Sequence, residues 1–78
     1  MSTREQLMEI LEELRPDIDF ENEQALIDDH IMESFDVVAL VSSLADEFDI
    51  TVRPKDLLPK NFNNVDAMVE LIERLMEE

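Results

Sequence analysis

Three apolar stripes of helical period, fenced by prolines, constrain this chain more than any other feature. Leu7, Ile10, Leu11 and Leu14 recur at i, i+3, i+4 and i+7, a spacing that puts them on one face of an amphipathic helix. Ahead of them, Ser2-Thr3-Arg4-Glu5 has the serine-to-glutamate spacing of a capping box, and Pro16 ends the helix near Arg15. Val37, Leu40, Val41, Leu44 and Phe48 form a second and cleaner stripe. Met68, Leu71, Ile72 and Leu75 form a third, which Asn63 or Asn64 is placed to cap. Pro54 is placed to start a single turn through Leu58, closed by Pro59. The expected fold is all-α: a small four-helix bundle of three main helices and one short one, in a single domain over residues 1–78.

Residues 16–33, between the first and second helices, have no strong period. A structureless connection of that length argues against a compact domain unless its own side chains pack it. Ile18, Phe20, Leu26, Ile27 and Ile31 punctuate it, so it is expected to be a packed loop anchored across the bundle by those residues. The chain has no glycine. That removes glycine-rich phosphate loops and the usual EF-hand loop, which needs glycine at its sixth position.

A 78-residue chain buries only about 60% of its unfolded surface, and such a core rarely supplies more than about 3–5 kcal/mol. With no cysteine, neither a disulfide nor a thiolate metal site supplements it. A formal charge of −15 adds self-repulsion. The expectation is marginal stability that salt and divalent cations improve, most of all between residues 5 and 49, where Arg15 is the only base among 15 acids. Nucleic acid and anionic membranes are poor partners for this charge, and basic protein surfaces are good ones. No segment approaches the roughly 20 apolar residues of a membrane span. The first residues lack a signal peptide's basic and apolar regions, so a cytoplasmic monomer is expected.

On the wheel of the middle helix, at about 100° per residue, the stripe residues lie within about 60° of Val37. Phe35 falls roughly 160° away and Val38 about 100° away. Phe35 therefore either tucks under the preceding loop or stands exposed beside Ser34, at the helix start. Exposed apolar side chains clustered next to a reactive group suggest a docking contact.

"LIDDHIMESFDVVALVSSLADEFDI" followed by "PKDLLPKNFNNVDAMVELI" resembles the phosphopantetheine-binding acyl carrier proteins over nearly the whole chain. The resemblance implies a helix, a long loop, an Asp-Ser-Leu-like motif opening helix two, a short third helix and a final helix. The family's attachment serine falls on Ser34 within "MESFD". By resemblance, a phosphopantetheinyl transferase would attach 4′-phosphopantetheine from coenzyme A there, and the arm's thiol would hold an acyl or aminoacyl group as a thioester. The carrier would be non-catalytic, a covalent cosubstrate of a loading ligase or synthase with a basic surface. Glu33, Phe35, Asp36, Val38 and Ala39 would dock those partners. An exposed hydroxyl in a helix's first turn suits a phosphodiester, which meets free N–H groups and the positive end of the dipole.

The match departs from the family pattern at named positions. Glu33 stands for the usual Asp, Phe35 for the usual Leu, and His30 for a glycine common four residues before the serine. Ala39 and Ala45 replace acids that fatty-acid-synthase carriers often keep. The more apolar helix-two face leans toward D-alanyl, peptidyl-type or stand-alone secondary-pathway carriers.

His30, the only histidine, has no second strong metal ligand and reads as a loop residue, so no metal site is expected. Asp28-Asp29 either shields or orients the transferase or, as such pairs more often do, forms a solvated turn. Asp46, Glu47 and Asp49 oppose the dipole at the end of helix two, where docking and plain solvation are level alternatives. Arg53, Lys55 and Lys60 offset nearby acids and receive no site. The rival function is an acidic interaction module or inhibitor without a prosthetic group. It explains the charge but needs neither Ser34 nor the apolar side of helix two. A divalent-cation buffer lacks ligand spacing, and a serine hydrolase lacks a base partner for Ser34.

Overall fold

A computed structural model describes residues 2–78. Helix α1 (Thr3–Leu14) opens on the capping box read from the sequence. The Glu5 N–H donates to Ser2 Oγ at 3.1 Å, and the Ser2 N–H donates to Glu5 Oε1 at 3.1 Å, satisfying donors that a helix start otherwise leaves orphaned. Arg15 caps the far end, and Pro16 follows. Helix α2 spans Ser34–Phe48, a 3₁₀ turn Pro54–Asp56, helix α3 Pro59–Phe62 and helix α4 Val65–Met76. No strand occurs among the described residues, so the all-helical expectation holds.

The three stripes face one core. Leu7 and Leu11 of α1, Leu40 and Leu44 of α2, and Val65, Met68, Leu71, Ile72 and Leu75 of α4 are buried together with Phe62. Helix α1 packs against both α2 and α4, and α3 against α4. Val37, taken as the centre of the second stripe, is only half-buried. It lines a hollow beside Ser34 rather than entering the centre of the bundle.

The third helical segment corrects the sequence reading. A single turn from Pro54 closed by Pro59 was expected. Instead the 3₁₀ turn ends at Asp56, and Pro59 begins a separate one-turn helix. The physical reason is that proline's fixed φ and missing N–H suit a first helical position as well as they break an interior one.

The loop of residues 16–33 is packed by its own side chains, as expected. Phe20 and Leu26 enter the core, and Ile18, Ile27 and Ile31 lie against it. Met32, absent from the expected anchors, is buried as well. The adjacent asparagines divide the work. Asn64 caps α4, accepting from the Ala67 N–H at 2.8 Å. Asn63 holds the loop: its carbonyl accepts from the Leu26 N–H at 2.8 Å. Its Oδ1 accepts from the Ile27 and Asp28 N–H groups at 3.0 Å each, and its Nδ2 donates to Asp28 Oδ2 at 3.0 Å.

His30 turns the loop back toward α2. Its φ is 58°, in the left-handed region where non-glycine residues are uncommon and Asn, Asp and His are enriched. The Ile31 and Met32 N–H groups both donate to the Leu26 carbonyl at 2.9 Å. A glycine at this position would meet the same backbone demand without a Cβ.

Candidate functional site around Ser34

Helix α2 begins at Ser34 itself, and Glu33 occupies the N-cap position. The Ser34 hydroxyl is therefore not spent on capping. It is exposed and has no hydrogen-bond partner among the described side chains. The first N–H groups of any α-helix lack intrahelical acceptors, so this hydroxyl stands beside free donors and the positive end of a 15-residue helix. Ser42 and Ser43 are exposed too, but they lie in the interior of α2, where each N–H is already used.

The first turn of α2 is braced from α1. The Arg15 guanidinium donates from one terminal nitrogen to Asp36 Oδ2 at 2.6 Å. Its Nε and other terminal nitrogen hold Asp17 at 3.0 and 2.9 Å. The same Asp36 oxygen accepts the Glu33 N–H at 3.0 Å, which fixes the backbone on the N-terminal side of Ser34. Hydrogen bonds from Arg15 hold the Asp17 carboxyl below its usual range, and bonds to Asp17 and Asp36 push the guanidinium further up. The lone base between residues 5 and 49 thus compensates an acid in the first turn of α2, two residues from the candidate hydroxyl.

Asp36, one of the five expected docking residues, is 8% exposed and bonded to Arg15. Phe35 and Val38 stand out at 80% and 68% exposure, which settles the placement of Phe35 as exposed, not tucked under the loop. Glu33 is exposed and Ala39 half-exposed on the same helix.

Two hollows adjoin Ser34. One is lined by His30, Met32, Glu33 and Val37, with Ile27 shared between both. The other is an apolar groove running from Ser34, Val37 and Val38 to Leu57, Leu58 and Phe62. Leu57 and Leu58, 46% and 41% exposed, are site residues that the sequence reading missed. Their signal was available: two adjacent leucines between Pro54 and Pro59 occupy too short a stretch for both to turn inward.

The remaining candidates stay apart from this constellation or serve the fold. Asp28 binds Asn63, whereas Asp29 is solvated. Asp46, Glu47 and Asp49 lie at the opposite end of α2. Arg53 pairs with Glu78 at 3.0 Å and donates its backbone N–H to Asp56. Among the described residues no three His, Asp or Glu side chains converge to hold a metal ion, and no helix is long and apolar enough to cross a membrane. No protein-family model and no curated protein matches the chain.

Proposed function

We propose that the chain is a carrier, of the acyl carrier class that its sequence resembles, with Ser34 as the attachment point for 4′-phosphopantetheine. The observation that carries this reading is the unengaged, exposed hydroxyl of Ser34 at the first position of α2, flanked by exposed Phe35 and Val38. The surroundings fit a phosphodiester. The helix start supplies free N–H groups, and Arg15 offsets the charge of Asp36. Attachment joins Ser34 Oγ to a phosphorus of the coenzyme A diphosphate and breaks the P–O bond between the two phosphates. Adenosine 3′,5′-bisphosphate leaves, and the hydroxyl proton passes to a base on the transferase. Bound there, 4′-phosphopantetheine supplies the thiol, otherwise missing from a chain without cysteine, on which an acyl or aminoacyl group travels as a thioester.

The chain's own residues bind and orient. Arg15, Asp36 and the Glu33 N–H hold the first turn in place. Phe35 and Val38 give a transferase or loading enzyme an apolar contact beside the hydroxyl, while the acidic surface attracts partners with basic ones. Chemistry belongs to those partners, and the cytoplasm is the compartment proposed for the encounter. The half-buried Ala39 and exposed Val38 favour D-alanyl, peptidyl-type or secondary-pathway cargo over fatty-acid synthesis.

The test is incubation with coenzyme A and a broad-specificity phosphopantetheinyl transferase, read by mass. Wild type should gain one phosphopantetheine and Ser34→Ala none. Labelling of Ser42 or Ser43, or of no residue with several transferases, would return the chain to the alternative of an acidic interaction module. Phe35→Ala should keep its melting temperature, since surface changes stay within about 0.5 kcal/mol. It should nevertheless be modified at least about tenfold more slowly, because an apolar anchor can carry 2 kcal/mol or more of binding. Leu44→Ala, which opens a core cavity, should show the reverse pattern.

A further inference from the structure

The six basic residues fall into two sets. Arg4 pairs with Asp66, Arg15 with Asp17 and Asp36, and Arg53 with Glu78. Lys55, Lys60 and Arg74 have no ion pair among the described residues, although the chain holds 21 acids. With acids in such excess, an unpaired cation is the unexpected state, and all three line one hollow between α4 and the segment of residues 55–61. The position of Arg74 in the last turn of α4 favours the helix dipole, but that accounts for Arg74 alone and not for the convergence. Asp56 and Glu70 also line the hollow. Three positive and two negative groups leave it at +1 on a molecule of −15.

Leu58 belongs to this hollow and also to the apolar groove that starts at Ser34. The two depressions therefore share one side chain, Leu58, which stands between the groove at the hydroxyl and the cations. Free anions are repelled by the net charge, so a small exposed site of this kind holds them poorly. An anion tethered at Ser34 meets the hollow at an effective concentration in the millimolar range, where a weak site fills.

Resting on the carrier reading above, we propose that the Lys55–Lys60–Arg74 hollow receives the anionic end of the group carried on Ser34. Among the cargo classes favoured above, this selects secondary-pathway acyl groups that terminate in a carboxylate over D-alanyl groups, which end in an ammonium. The guanidinium offers a planar fork and the two ammonium groups compact charges, a set suited to a carboxylate. The apolar stem of the cargo lies along Val38, Leu57 and Leu58.

The test loads Ser34 from succinyl- and from butyryl-coenzyme A with a transferase and compares amide NMR spectra. The succinyl form should shift the amides of Lys55, Lys60, Asn61 and Arg74 relative to the butyryl form. Those differences should vanish in the Lys60→Gln/Arg74→Gln variant, whose melting curve should match wild type. About 0.5 M salt should shrink them by screening. Equimolar free succinate added to the unmodified chain should leave the same amides in place. Identical succinyl and butyryl spectra on a loaded chain overturn this inference alone. Free succinate that reproduces the shifts overturns it in favour of a site for soluble anions. A chain that accepts no arm overturns the carrier reading and the cargo proposal with it.

Discussion

The two ends of α2 meet the same electrostatic problem and answer it differently. At the N-terminal end the acid is on the favourable side of the helix dipole. Asp36 is also buried, bonded to the Glu33 N–H and paired with the one base within reach. At the C-terminal end Asp46, Glu47 and Asp49 crowd the carbonyl end, with no base in the last turn. Asp49 itself takes the left-handed conformation, at φ 54°, a position glycine usually fills. Compensation is concentrated where Ser34 sits, and the opposite end is left strained and unpaired. The difference shows which end the fold braces with side-chain contacts.

Removing the brace should break this contrast with the largest effect. Asp36→Ala loses two charge-assisted hydrogen bonds at a buried position, for about 2–3 kcal/mol. In a domain of this size that lowers the melting temperature by roughly 10–20 °C. Asp36→Asn keeps an acceptor for the Glu33 N–H and should fall between. A variant that melts like wild type would mean that the first turn of α2 is held by packing alone.

Relieving the opposite end should sharpen the contrast. Asp49→Gly removes both the left-handed strain and a charge opposed to the dipole, and should stabilise by about 1 kcal/mol. The expected rise in melting temperature is roughly 4–8 °C. An unchanged or lowered value would show that Asp49 makes up in another way for its conformation.

The smallest effect is a pH dependence at the braced end. Because the folded Asp17 carboxyl is held below its usual range by Arg15, its contribution is complete above the ordinary carboxylate value of about 3.9. It is lost as the pH falls through the lower folded value. Asp17 is largely exposed, so solvent keeps that contribution small. Wild type and Asp17→Asn should therefore differ by a small constant melting temperature from pH 7 to about 5, and converge below about pH 4. A difference that instead grows toward low pH would contradict the pairing.

The helices could be read because their signals are local. The stripes of α1, α2 and α4 and the Ser2–Glu5 box lie within one or two turns of the residues that they organise. Phe35 was legible as off-core from the wheel, although only packing decides between a tucked and an exposed ring. The contacts that position the site are of another kind. Arg15 meets Asp36 across 21 positions, and Asn63 meets Ile27 across 36. No short window holds both members of either pair. Two neighbouring asparagines offered equal caps for α4, and the loop's demand for donors and acceptors decided between them. The convergence of Lys55, Lys60 and Arg74 escaped for the same reason, since their meeting depends on how residues 55–61 lie along α4.

The grip of Asn63 on the loop also has a kinetic side. Residues 26–28 have no helix or sheet of their own to protect their amides, yet all three N–H groups end on that single residue. Hydrogen exchange at these amides therefore requires the loop to detach from the turn between α3 and α4. Their protection should follow that opening as one cooperative unit, and Asn63→Ala should speed exchange at Ile27 and Asp28, which bind its side chain, more than at Leu26, which binds its backbone.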